Sequence, residues 1–189
     1  MILATNNKGK LMEIKKILKE YQIYSLRDKN INIDVIEDEN TFYGNALKKA
    51  REIYAISGEP VIADDSGLCI TALNDFPGVL THRFLGEDAT DEERNNDLIR
   101  RVNKVSDRRA KVICNLVYYD GKDILVGEGI LEGKIAINPR GQNGFGFDPI
   151  FELENGKTLA ELTEEEKNTL SARYLAAVAL SNKIKKLHK

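Results

Sequence analysis

Hydrophobic and polar positions along the chain change period several times, and each change predicts an element. Residues 1–4 form a short apolar run that reads as a strand. Thr5-Asn6-Asn7-Lys8-Gly9 breaks it, and Leu11, Ile14, Ile17 and Leu18 then return at helical spacing. A second helix is expected over about residues 41–56, with Phe42, Ala46 and Ile53 on one stripe. After Pro60, Val61-Ile62-Ala63 reads as a short strand that ends abruptly at Asp64-Asp65-Ser66-Gly67. Residues 90–102 read as a helix, because a capping Thr90 stands before acidic first-turn residues. Residues 111–119 and 123–137 read as two strands joined by a Tyr-Asp-Gly-Lys hairpin turn. Glycines and polar residues over 139–146 mark a long loop, and Thr163 with Glu166 makes a capping box that starts the last helical region. Strands, helices and hairpins interleave without a linker, which predicts one α/β domain over residues 1–189 with a mixed sheet.

Composition narrows the function classes. A length of 189 residues suits one well-filled core, and 42% hydrophobic with 31% charged residues is ordinary for a soluble globular protein. A formal net charge of -2 argues against nucleic-acid binding through bulk electrostatics. The basic residues are scattered apart from Lys183, Lys185, Lys186 and Lys189, which read as a solvated helix end. Cys69 and Cys114 lie inside apolar stretches and read as reduced, buried strand residues, which fits the cytoplasm. Two His and two Cys, far apart, leave no basis for a structural zinc site. The opening apolar run is too short for a signal peptide and no segment approaches a membrane span, so no membrane partner is expected.

Six segments carry candidate chemistry, most with a plain structural alternative. Thr5-Asn6-Asn7-Lys8-Gly9-Lys10, between strand and helix, offers amides and lysines to an anion, but polar loops at this position are also common without a ligand. Adjacent Asp64 and Asp65 are costly unless something positive neutralises them; magnesium suits such a pair, and an Asx turn is the alternative. Asn45 and Lys49 share a helix face, and Lys49 falls near the apolar stripe, which calls for a waiting anion. The acidic Glu37-Asp38-Glu39 run is either solvated surface or the source of a second metal carboxylate. Phe145-Gly146-Phe147-Asp148-Pro149 presents aromatic faces either to a purine or to the core. Lys167, Asn168, Ser171 and Arg173 offer donors to a purine or to surface ion pairs.

In this order the segments resemble the inosine-triphosphate pyrophosphatase, or Ham1-like, family of non-standard purine nucleotide pyrophosphatases. The resemblance runs over essentially the whole chain and rests on TxNxxK, TFxxNAxxKA, ADDSGL, PGVxxxRFxGEDATD, GFGFDPIF and LTEEEKN. It implies an elongated mixed sheet flanked by helices, two lobes with a nucleotide cleft between them, and a homodimer. It implies Mg2+-dependent hydrolysis of ITP, dITP and XTP to the monophosphate plus pyrophosphate. Thr5, Asn6, Asn7, Lys8, Gly9 and Lys10 would cradle the triphosphate, with Lys10 and Lys49 as its charged clamps. Asp65 would be the general base and a metal ligand, Glu37 the other metal carboxylate, and Ser66 would lie beside the substrate. Phe145, Gly146, Phe147, Asp148, Lys167 and Arg173 would form the base pocket. Two motifs depart from the family: Ser171-Ala172-Arg173 stands where Ser-His-Arg is usual, and Thr81-His82-Arg83 where Ser-Ala-Arg is usual. A His and an Ala thus exchange places, so His82 is either a substitute for the imidazole lost at Ala172 or an ordinary surface or dimer-face residue. A lesser departure is Gly44, where many members carry Glu. Competing expectations are a related hydrolase of modified pyrimidine triphosphates and a catalytically silent nucleotide-binding protein.

Overall fold

The computed structural model describes residues 1–86 and 88–187, so Glu87 of the GEDATD motif and Lys189 of the basic cluster lie outside the described residues. The strands are β1 (Ile2–Ala4), β2 (Tyr24–Ser25), β3 (Val61–Ile70), β4 (Phe76–Pro77), β5 (Arg109–Tyr119), β6 (Ile124–Ile135) and β7 (Phe151–Glu152). The helices are α1 (Lys8–Ile17), α2 (Phe42–Ser57), α3 (Asp91–Val102), α4 (Glu164–Lys167) and α5 (Ala172–Leu187). Seven strands form one sheet in the order β2-β1-β3-β5-β6-β7, with β4 paired on β3. β1 is parallel to β2 and to β3, whereas β4 and β7 are antiparallel to their neighbours, so the sheet is mixed as expected.

The local signals explain where the helices start. Asn7 caps α1, accepting the Lys10 amide at 3.0 Å, and Thr41 caps α2 through the Gly44 amide at 2.9 Å. Full capping boxes open α3 with Thr90 and Glu93, and α4 with Thr163 and Glu166. The last helical region is two helices, since α4 stops at Lys167 and α5 starts at Ala172. The β5–β6 hairpin turns where the Tyr-Asp-Gly-Lys signal placed it: Asp120 accepts the amides of Lys122 and Asp123, and Gly121 takes φ +95°.

The expected strand end at Asp64 is corrected: β3 continues through Asp64, Asp65, Ser66 and Gly67 to Ile70, with all ten residues buried. Nothing in the backbone needs to break there, because Lys10 and Arg173 neutralise Asp64 in place and Asp65 accepts a hydrogen bond from Asn45. Both cysteines are free buried thiols, as expected.

The contacts gather into two compact units. The first holds Met1–Ser66, Cys114–Gly129 and Ser171–Lys189; the second holds Gly67–Ile113 and Ile130–Leu170. The first has a core of Ile2, Ala46, Ile53, Val61, Ala63 and Val117. The second buries Leu98, Val102, Ile135, Phe151 and Leu159. Within the described residues, no helix is long and apolar enough to cross a membrane.

Candidate active site

Successive residues of a strand face opposite ways, so Asp64 and Asp65 meet different partners. Asp64 is fully buried; its Oδ2 lies 3.1 Å from Lys10 Nζ of α1 and 3.5 Å from Arg173 Nη2 of α5. Burial alone would raise its proton affinity, but Lys10, Arg173 and Lys49 overcome that and hold it well below the usual carboxylate range. The other oxygen, Asp64 Oδ1, is buried without a hydrogen-bond partner. Arg173 also pairs with the buried Glu13 of α1 and donates to Ser66 Oγ at 3.1 Å.

Asp65 answers to α2. Its Oδ2 accepts from Asn45 Nδ2 at 2.8 Å and its Oδ1 from the Ser66 amide at 2.9 Å. Burial, with Glu37 adding to it, pushes Asp65 up to about 6 against the pull of Lys49, Lys10 and the Asn45 amide. Lys49, one turn beyond Asn45 and itself buried, donates to Glu37 Oε1 at 2.5 Å and to the Asp64 carbonyl. The anion that an inward Lys49 requires is therefore Glu37, with Asp64 and Asp65 nearby; although burial works against its charge, these acids raise its proton affinity. Asn45 ties the acidic loop to the same point, because its Oδ1 accepts the Glu39 amide at 3.0 Å. Gly44 belongs to this closure, since a Cβ there would come 2.9 Å from the Glu39 Cβ.

The Thr5–Lys10 segment sits at the start of α1 in the same unit. Thr5 Oγ1 accepts the Asn7 amide at 3.2 Å, and Asn6 Nδ2 reaches Asp34 Oδ1 at 3.4 Å. The first turn of α1 carries no acid, unlike those of α3 and α4, so its positive end is left uncompensated apart from the Asn7 cap. Asn6, Asn7 and Lys8 are exposed, Thr5 and Gly9 partly so, and Lys10 is buried on Asp64.

Phe145, Gly146, Phe147, Asp148 and Lys167 come together in the second unit. Asp148 is buried, and its Oδ2 accepts the Phe145 amide at 2.8 Å and Lys167 Nζ at 2.5 Å. Lys167 Nζ also stands 4.6 Å from the centroid of the Phe145 ring. Gly144 and Gly146 take φ +78° and +62°, and a Cβ on Gly144 would fall 2.0 Å from Asp148 Oδ2. Phe145 and Phe147 remain half-buried. His82 lines a pocket with Thr81, Phe84, Asn95, Leu98 and Phe147.

Arg173 and Ala172, grouped by sequence with the aromatics, have their described contacts in the first unit. Arg173 meets Glu13, Asp64 and Ser66. Ala172 is buried against β6, where a Cβ on Gly129 would fall 2.0 Å from its carbonyl oxygen. Glu13 is the site residue that sequence reasoning missed. Its signal is the same as that of Lys49, a charge beside the apolar Ile14 of an amphipathic helix.

Hard cations take oxygen ligands, and this carboxylate set fits one. Asp65 and Glu37 are close enough to raise the former's proton affinity, and the orphaned Asp64 Oδ1 lacks a donor. Among the described residues no three His, Cys, Asp or Glu side chains converge on a metal position.

The Ham1 family model matches residues 1–183. The dITP/XTP pyrophosphatase of Thermoanaerobacter sp. (strain X514) is 45% identical over 98% of this chain and 96% of its own length. The dITP/XTP pyrophosphatase of Coxiella burnetii (strain RSA 493 / Nine Mile phase I) is 39% identical, over 96% and 94% respectively. The solved HAM1 protein from Coxiella burnetii superposes with a TM-score of 0.89 at 38% identity, covering 98% of both chains. The Staphylococcus aureus Ham1 protein gives 0.89 at 34% identity, over 100% of this chain and 98% of that one. With the motifs, the mixed sheet and nearly full-length similarity agreeing, this chain belongs to the Ham1 family.

Proposed function

We propose that the protein hydrolyses non-standard purine nucleoside triphosphates (ITP, dITP and XTP) to the monophosphate and pyrophosphate. The observation that carries the reading is Asp65: a buried carboxylate with its proton affinity raised to about 6, flanked by Glu37 and by the cations Lys10 and Lys49. A general base works best with an affinity near the operating pH. Asp65 accepts a proton from a water molecule as the water oxygen bonds to the α-phosphorus. The bond from that phosphorus to the bridging oxygen breaks, and its electron pair leaves with pyrophosphate. Asn45 and the Ser66 amide hold Asp65 in place for this role.

Lys10, Lys49 and the start of α1 would bind the phosphates, exchanging their present carboxylate partners for phosphate oxygens. Asp65 and Glu37 would hold Mg2+, which supplies neutralising charge for the triphosphate when bound. Phe145, Phe147, Asp148 and Lys167 would recognise the base through ring faces and a fixed donor. Residues 1–189 would serve as one catalytic domain, acting in the cytoplasm, where the reduced Cys69 and Cys114 fit, and as the homodimer the family resemblance implies.

The experiment is a steady-state panel of ITP, dITP, XTP, ATP, GTP and modified pyrimidine triphosphates, with pyrophosphate and orthophosphate measured separately. Inosine and xanthosine substrates should be strongly preferred, with pyrophosphate as the product. Activity should vanish with a chelator and return with magnesium. A nucleoside diphosphate with orthophosphate would refute attack at the α-phosphorus.

A further inference from the structure

The Phe145–Asp148 loop is fastened at Asp148 from within and at Gly146 from α3. Asp91 and Asn95 lie four residues apart on α3 and so share a face. The Gly146 amide donates to Asp91 Oδ2 at 2.9 Å, and Asn95 Nδ2 donates to the Gly146 carbonyl at 2.9 Å. Both backbone polar groups of one residue are thus held by one helix. Nothing lies within 4 Å of where a Gly146 Cβ would stand, so glycine is required by φ +62° and not by space.

These two bonds act on different aromatics. The Gly146 N–H belongs to the peptide plane shared with Phe145, and the Gly146 carbonyl to the plane shared with Phe147. Asp91 therefore fixes the plane that carries Phe145, and Asn95 the plane that carries Phe147. The helix doing this is itself anchored: Thr90 and Glu93 close its capping box, and buried Arg94 donates to the carbonyls of Phe84, Gly86 and Ala89.

We infer that Asp91 and Asn95 are positioning residues for base recognition, setting the angle between the two rings through Gly146. The inference rests on reading this loop as the base end of the site. Stacking depends on ring orientation, and side chains that set it control selectivity and apparent affinity while leaving the chemistry at the phosphorus alone.

The test compares Asp91→Ala and Asn95→Ala with the parent, using dITP as substrate and inorganic tripolyphosphate, which has no base, as competitive inhibitor. Loss of either bond should raise KM for dITP about tenfold. Turnover should stay within about threefold and the tripolyphosphate inhibition constant within about twofold, since neither senses the base. Asp91→Asn keeps an acceptor oxygen and should restore the parental KM, whereas Asn95→Asp sets a carboxylate against a carbonyl and should raise KM even if the alanine variants fold poorly. Glu92→Ala removes a charge from the same helical turn and should leave both constants at parental values. An equal rise in the dITP and tripolyphosphate constants would overturn the inference, as would an unchanged dITP KM in Asn95→Asp and both alanine variants while Phe147→Ala raises it. A Phe147→Ala enzyme with parental KM would instead remove the reading of the loop on which the inference stands.

Discussion

Replacing Asp65 by Asn should make the metal-free protein more stable while stopping catalysis. Asp65 is 3% exposed, and burial raises its proton affinity from the ordinary 3.8 to about 6. At about 1.4 kcal/mol per tenfold change in affinity, holding it ionised in the folded state costs about 3 kcal/mol at pH 8. The folded state binds the proton more tightly than the unfolded state, so this cost is absent below pH 3.8, grows as pH rises, and is complete above about 6. At pH 5 it is about half its full value. An Asn cannot accept both existing bonds, so either the Asn45 amide or the Ser66 N–H loses an acceptor, which costs about 1 kcal/mol. The variant should therefore gain about 2 kcal/mol at pH 8 and less than about 1 kcal/mol at pH 5. Urea unfolding with chelator present, followed by circular dichroism because the chain has no Trp, measures the difference at both pH values. The same variant should lose at least about a hundredfold in turnover with magnesium restored. A variant less stable than the parent at pH 8, or one with the same gain at both pH values, would refute the electrostatic account of Asp65.

Three further outcomes are expected. Lys49→Ala removes a cation that lowers the proton affinity of Asp65, so the acid limb of the pH–rate profile should move to higher pH; a limb that stays in place would separate Asp65 from it. Gly129→Ala puts a methyl group where the Ala172 carbonyl lies, so it should destabilise by about 1–3 kcal/mol and depress activity by shifting Arg173, both measurable on one preparation. His82→Ala should lower the preference for ITP over ATP if His82 substitutes for the imidazole missing at Ala172, with Ala172→His restoring it in the double variant; unchanged selectivity ends that idea.

Features with local causes were legible in the sequence. Thr163 with Glu166 proved to be the expected capping box, and the expected cap Thr90 proved to close a box with Glu93, because the partners are three residues apart. The inward Lys49 was legible from its helix face, and its acid was found in the run that had drawn attention. Asp64 was misread as a strand end because two adjacent carboxylates look incompatible with a buried strand until their cations are known. One of those cations, Arg173, also binds Ser66 from 107 residues further along the chain, and nothing at position 64 announces it. Glu13 stayed hidden for the same reason, since its partner is again Arg173. Two lobes were expected only from the resemblance, and no linker composition marked the two compact units, because the chain passes between them inside β3, β5 and β6 and once more in the short connection between α4 and α5.

That path has a consequence for synthesis. The unit that carries Asp64 and Asp65 is assembled from three separate stretches of chain, the last of which is α5. Domains form during translation from the N-terminal end, at roughly 5–20 residues per second. Until α5 emerges from the ribosome, Asp64 and Glu13 lack Arg173, and Gly127 and Gly129 of β6 have no helix carbonyls to pack against. A nascent chain halted before α5 therefore leaves its charged centre without Arg173, and that centre is completed only when α5 arrives.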